Sequence, residues 1–339
     1  MRNHEVTKQQ PLLNEKGALN NPGWSRGLVQ QYDRKQIKAS TWRIKEWDYY
    51  LIHNDEYACC FTISDNAYLG LESVSLINFK ERWEHTESLI IPLTMGKLNL
   101  PKTSKTGDVH FNNKRLNLSF THQNGQRHIN CQFKQFHGQK DFECELVLTE
   151  TQPDSLVIAT PWPNKPKAFY YNQKINNMTV TGHVKYGEQT ITFEDKNNFA
   201  TLDWGRGVWT YDNTWYWGNG NGIVNGKPFG FNLGYGFGDI SAASENVVYY
   251  DGILNKLDDI EFIHQEDYLA PWTITSSDGR FEGTFEPIID RSALTDVKII
   301  KSDQHQVFGY LNARVILDNQ EVIEVNELLC FFEKVHNKY

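Results

Sequence analysis

Along this chain the apolar residues fall in short runs or in strict alternation, and no long helical period is present. Tyr57-Ala58-Cys59-Cys60-Phe61-Thr62-Ile63, Ile191-Thr192-Phe193, Val247-Val248-Tyr249-Tyr250, Arg314-Val315-Ile316-Leu317 and Val322-Ile323-Glu324-Val325 each read as a strand. Between such runs stand Asn124-Gly125, Asn225-Gly226, Asp251-Gly252 and Asp278-Gly279, dipeptides that accept the positive φ angles of a tight hairpin turn. Asn54-Asp55 and Asp318-Asn319 are weaker versions of the same signal. Residues 254–263 come nearest to a helix, yet the Asp258-Asp259 step suits a strand equally. Many short strands with regular turns predict an all-β protein, a sandwich or a barrel.

The chain has 339 residues, enough for one large or two medium domains. Residues 1–40 are polar and carry Pro11 and Pro22, so they read as an N-terminal arm. A first β domain is expected over 41–200 and a second over 201–339. The division lies somewhere in 161–205, because Pro161-Trp162-Pro163-Asn164-Lys165-Pro166 interrupts the strand pattern.

Composition narrows the function. Aromatic residues make up 13% of a chain that is only 39% hydrophobic, so large rings supply much of the interior or line a pocket. A net charge of -8 argues against a nucleic-acid partner, which is met by a basic patch or stripe. The five cysteines are odd in number, two of them adjacent, and no C-x-x-C occurs. That pattern predicts free thiols rather than a disulfide framework or a zinc site. The start is polar and no run approaches the ~18 apolar residues of a spanning helix. The expectation is therefore a cytoplasmic protein with no transmembrane segment. Gly218-Asn219-Gly220-Asn221-Gly222 is followed by a strand pattern, not by the helix a phosphate loop needs. No G-x-S-x-G or H-E-x-x-H occurs. No cofactor and no metal is expected.

Residues 201–239 hold the densest chemistry. In Asp203-Trp204-Gly205-Arg206-Gly207, Asp203 and Arg206 offer a charge-assisted pair. It would either aim a carboxylate at a ligand or lock a domain junction. In the stretch from Phe229 to Gly238 the odd positions are large and apolar and the even ones are Gly or Asn. One strand face is then a wall of rings and the other nearly bare backbone, open to a ligand or to a closely packed second sheet. Trp209, Tyr211, Trp215, Trp217 and Asn232 flank these motifs. Glu245, Gln306 and Glu327 are polar residues in apolar surroundings. They serve either an inter-strand hydrogen-bond network or the few polar groups of a small-molecule pocket. Asp203, Arg206, Trp209, Tyr211, Trp215, Trp217, Asn232 and Glu245 are expected around one cavity at the junction of the two domains.

The segments LDWGRGVWTY, WYWGNGNG, GFNLGYGFGD, SENVVYYDG, PWTITSSDGRFEGTFEP and HQVFGYLNA, in that order, resemble a bacterial family known only as a domain of unknown function, number twenty-eight-zero-four. PLLNEKGALNNPGWSRG and AFYYNQKIN fit the same family, so the resemblance spans nearly the whole chain. Leu329-Cys330-Phe331-Phe332-Glu333 departs from the small residue, Phe and Glu usual there. That family is in turn distantly similar to a lipocalin-like superfamily containing AttH, the carotenoid hydratases and tocopherol cyclase. The resemblance implies two antiparallel lipocalin-like β-barrel or sandwich domains packed together. Asp203 falls at that superfamily's motif aspartate, followed here by Trp204 in place of His. The expected function is the binding of a small apolar or amphipathic molecule in an aromatic-lined cavity, with Arg206, Trp209, Trp215, Trp217, Asn232 and Gln306 as ligand contacts. The alternative is a cofactor-independent hydratase, cyclase or isomerase on a lipid-like or isoprenoid substrate. There Asp203 is the general acid and Tyr211 or Glu245 assists. A purely structural or interaction role is the third possibility.

Overall fold

The structure, a computed structural model, describes residues 2–194, 196–296 and 301–338. The predicted turns close hairpins. Asn124, Asn225 and Asp251 take φ of 53°, 52° and 53°, each followed by a glycine at positive φ. Two consecutive left-handed residues are what a two-residue I′ turn requires. At Asp278-Gly279 only the glycine is left-handed. Residues 277–280 there link Trp272–Ser276 to Phe281–Asp296, and a longer link needs only one left-handed residue.

One expectation is corrected. The proline-rich segment is not irregular: Leu156–Trp162 and Lys165–Tyr186 are paired strands turning at Asn164, φ 58°. Register slips between Pro161 and Trp162, and on the other side Gly23–Ser25 pairs only as far as Ala159. A proline's missing N–H costs little at such a bulge or edge. Of the two readings open for residues 254–263, helix or strand, the strand is found. These residues contribute to Ile253–Lys256 and Ile260–Ile263, the two outermost strands of one sheet. Residues 257–259 join those edges, so this sheet curls until its ends nearly meet.

The fold is two curled antiparallel sheets, two lipocalin-like half-barrels. The first runs Trp83–Pro92, Leu69–Asn78, Tyr57–Asp65, Ile44–His53, Phe199–Val208, Lys165–Tyr186, Lys140–Thr149, Gln126–His137, Leu116–Gln123, Val109–Asn112. The second runs Ile253–Lys256, Val247–Tyr250, Lys227–Tyr235, Asp212–Val224, Val322–Lys338, Lys301–Ile316, Phe281–Asp296, Trp272–Ser276, Ile260–Ile263. Position 200/201 lies inside Phe199–Val208, a central strand of the first sheet, and the chain changes sheets between Val208 and Asp212. Residues of the N-terminal segment lace the two together. Gly23–Ser25 extends the first sheet, while Asn3 Oδ1 accepts from the Ser244 amide at 3.0 Å.

Strand alternation sorts the side chains into two interiors and a seam. Phe229, Phe231 and Leu233 enter the core of the second half-barrel with Phe332 and Trp272. Gly230, Asn232 and Gly234 face the seam. A Cβ on Gly230 would meet Asn177 Oδ1 at 2.6 Å, and one on Gly234 would meet Glu245 Oε1 at 2.6 Å. The bare face is thus covered by the chain's own side chains. Adjacent Phe331 and Phe332 divide between the two cores. A buried amide latch closes the seam. Asn176 Nδ2 donates to Asn221 Oδ1 (2.9 Å) and to the Phe231 carbonyl (3.1 Å), and Asn221 Nδ2 donates to Thr201 Oγ1 (2.8 Å). A β-bulge between Ile175 and Met178, with Asn177 at φ 57°, turns these amides toward the second sheet.

Candidate acid–base site at the seam

The site begins with parity. On Phe199–Val208 the residues Thr201, Asp203, Gly205 and Gly207 share the seam face, and Leu202, Trp204 and Arg206 point into the first half-barrel. Asp203 and Arg206, three apart, therefore cannot pair, which corrects the expected salt bridge. Arg206 is fully buried and bonds Asp48 Oδ1 at 2.9 Å. Its remaining donors reach the carbonyls of Trp47 (2.7 Å), Gly205 (2.8 Å) and Pro101 (3.0 Å), and the guanidinium lies 4.3 Å from the Trp204 ring.

Asp203 instead meets its cross-strand neighbours. Lys174 is directly opposite on one side and Tyr49 on the other. Lys174 Nζ lies 3.0 Å from Asp203 Oδ2, and Asn172 Nδ2 donates to Oδ1 at 2.6 Å. The ammonium also sits 3.7 Å from the centre of the Trp217 ring, a desolvated cation–π contact.

The second sheet supplies the opposing wall. Trp217 Nε1 donates to Asn232 Oδ1 at 2.7 Å, and Asn232 Nδ2 donates to the Glu245 carbonyl at 2.8 Å. The Glu245 carboxyl, 3% exposed, receives the Tyr170 hydroxyl at 3.4 Å on Oε2, while Oε1 is buried without a hydrogen-bond partner among the described residues. Glu333 is held by Trp215 Nε1 (3.1 Å) and Gln306 Nε2 (3.2 Å). Gln306 in turn touches the Tyr49 hydroxyl (3.3 Å) and accepts from Arg291 Nε (3.0 Å).

Burial sets the electrostatics. It pushes the Glu245 carboxyl up to about 8, with Lys174 pulling against it and Asp203 adding to it. It pushes Glu333 up to about 7, against the Trp215 hydrogen bond, Lys174 and Arg291. Two carboxyls thus hold or exchange a proton near neutral pH beside a fixed ion pair. Clusters of this kind gather where acid–base work is done.

Aromatic rings abut the cluster. Trp47, Trp162, Tyr170, Trp209, Trp215 and Phe237 form one contiguous group, with Tyr170 and Phe237 stacked at 4.6 Å and Trp209 and Trp215 edge-to-face at 5.3 Å. Tyr170 and Trp215 belong to both panel and cluster. The expected aromatic-lined cavity is here packed ring on ring. Hollows of about 360 Å³ and about 620 Å³ lie elsewhere, the first beside Tyr32 and Lys102, the second beside Lys140 and Tyr186.

Of the predicted residues, Asp203, Trp209, Trp215, Trp217, Asn232, Glu245 and Gln306 come together. Arg206 lies on the opposite face of its strand. Tyr211, 44% exposed, sits in the link between the sheets beneath the Arg43 guanidinium. Glu327 lies exposed at a β-bulge within Val322–Lys338, its amide bonded to Asn312 Oδ1. Lys174, Asn172, Tyr170, Tyr49, Arg291 and Glu333 were not predicted for the site. The alternation Tyr170, Asn172, Lys174, Asn176 in a strand of rings was the available signal.

These features define a class: a two-domain lipocalin-like β protein with a buried acid–base cluster between its half-barrels. The chain belongs to the family described as Domain of unknown function (DUF2804), whose model matches residues 3–339. Among solved structures it is similar to a Nitrosomonas europaea protein described as an AttH, at 12% identity and TM-score 0.52, covering 90% of this chain and 95% of that one. It is likewise similar to kievitone hydratase from Nectria haematococca, at 10% identity and TM-score 0.52, covering 97% and 98%. At such identities the likeness concerns the fold. No curated protein matches the sequence. Among the described residues no helix is long and apolar enough to cross a membrane.

Proposed function

We propose that the seam is a small-molecule site and that its buried carboxyls perform cofactor-independent acid–base chemistry on an apolar or amphipathic, lipid-like or isoprenoid molecule. Hydration, cyclisation or isomerisation of a carbon–carbon double bond fits best. The observation that carries this reading is the pair Glu245 and Glu333 flanking Lys174–Asp203 against the aromatic panel. Both Asp203 oxygens are already engaged, so Glu245, with one oxygen free, is the better acid. In a hydration its proton would go to one alkene carbon and water oxygen would bond the other. The water's proton would return to Glu245, directly or by way of Glu333, leaving the protein unchanged. The panel would shield the cation formed on the way. That one structural neighbour is a hydratase supports the reading by analogy of fold alone. Five buried free thiols fit a reducing cytoplasm.

The second reading is binding without turnover, favoured by the ring-rich panel. One experiment separates the two. A neutral lipid extract from the host is incubated with the protein in deuterated water and analysed by mass spectrometry. Deuterium uptake into a compound, lost in Glu245→Gln, supports chemistry. A compound that co-purifies without uptake supports binding alone.

A further inference from the structure

Trp47 and Gly205 are cross-strand partners, and the Trp47 indole lies directly on the Gly205 backbone, where a Cβ would stand inside the ring. Trp47 is half-buried, although it packs against Trp209 at 5.8 Å and lies nearly parallel to Tyr170 at 6.4 Å. The ring with a path to solvent thus fills a flat slot between Gly205 and the inner rings.

Trp209 Nε1, Asn172 Oδ1 and Glu245 Oε1, on side chains that adjoin the slot or its inner rings, are buried and lack a partner among the described residues. Asn172 is the cross-strand neighbour of Gly205 on the side away from Trp47. Trp209 Nε1 stands 3.1 Å from where a Cβ of Gly207 would be. Glu245 is reached through Tyr170. Orphaned buried groups are rare and call for a reason. A ring hydroxyl can accept from an indole N–H and donate to an amide oxygen.

We propose that the slot over Gly205 seats a planar, hydroxylated ring, and that Trp47 occupies this seat in the unliganded protein and leaves it on binding. The inference rests on the reading of the seam as a ligand site and narrows its ligand to a flat phenol-like ring. Trp47 lowers apparent affinity because the competent state is only a fraction of the population.

The test uses the full chain and calorimetric titration with 2-naphthol, naphthalene and decahydro-2-naphthol. Trp47→Ala should bind 2-naphthol about tenfold more tightly than wild type. Naphthalene should bind about tenfold more weakly than 2-naphthol, because it leaves the orphans unpaired. The saturated alcohol should gain nothing. Trp47→Leu, which retains apolar cover, should gain in the same direction and serves if the alanine variant melts early. A folded variant with no gain, an equal gain for the saturated alcohol, or failure of both variants to fold overturns the proposal. Nile red is titrated in parallel against wild type and Trp215→Ala. Dye binding lost in Trp215→Ala without a naphthol gain overturns the slot alone. Dye binding untouched, again without a naphthol gain, overturns the seam reading as well.

Discussion

One strand, Phe199–Val208, carries a buried ion pair on each face, and the two are built differently. Inside the first half-barrel, Arg206 has its donors engaged by Asp48 and by three backbone carbonyls, and its flat face covers Trp204. On the seam face, Lys174–Asp203 is bordered by two further carboxyls and by polar atoms without hydrogen-bond partners among the described residues. A saturated pair fixes geometry, whereas an unsaturated one leaves proton and hydrogen-bonding capacity for something else. Burial alone does not separate the two, since Arg206 and Lys174 are equally out of water.

This contrast is open to test. Arg206→Met should show the largest effect, a loss of roughly 3–5 kcal/mol in chemical denaturation, since it strands the Asp48 carboxylate. Asp203→Asn should cost less, about 1–3 kcal/mol, because the amide still accepts from Asn172 and Glu245 and Glu333 lie in the field of Lys174. Equal losses in the two variants would erase the distinction between lock and site.

A smaller effect should appear in the pH dependence of stability. Glu245 and Glu333 are raised in the folded protein from 4.5 to about 8 and about 7. Between these values the folded state holds protons the unfolded chain has released. Their contribution is therefore fully present below pH 4.5 and has gone once the pH has risen through the folded values. In melts from pH 5 to 9 the stability of the wild type relative to Glu245→Gln should fall with pH. A slope unchanged by the substitution would remove Glu245 as its source. The smallest effect belongs to Tyr211→Phe. This exposed residue should change stability by no more than about 0.5 kcal/mol and leave deuterium uptake intact.

Much of the fold was legible because its signals are local. Asn225-Gly226 and Asp251-Gly252 mark hairpins by their own conformational preference. The Gly/Asn alternation in WYWGNGNG and GFNLGYGFG marks faces where something approaches closely. What approaches was not legible, since Asn177 and Glu245 arrive through non-local pairing. The proline segment reads as irregular because its prolines sit at a bulge, a tight turn and an unpaired edge, which sequence does not distinguish from a loop. Strand alternation alone excludes an Asp203–Arg206 pair, because a separation of three places side chains on opposite faces. Tyr211 and Arg206 are near Asp203 along the chain, but nearness in sequence does not bring a side chain to the seam. Lys174 and Glu333 were missed because they lie far from Asp203 along it and join it only across strands and sheets.

The central claim is that the seam holds a carboxyl protonated near neutral pH. Carbon-13 NMR of protein labelled at the glutamate side-chain carboxyl, with Glu245→Gln for assignment, measures this directly across pH 4 to 10. The account predicts one resonance titrating near pH 8 that is absent from the variant. A Glu245 resonance titrating near its ordinary value of 4.5 would contradict it.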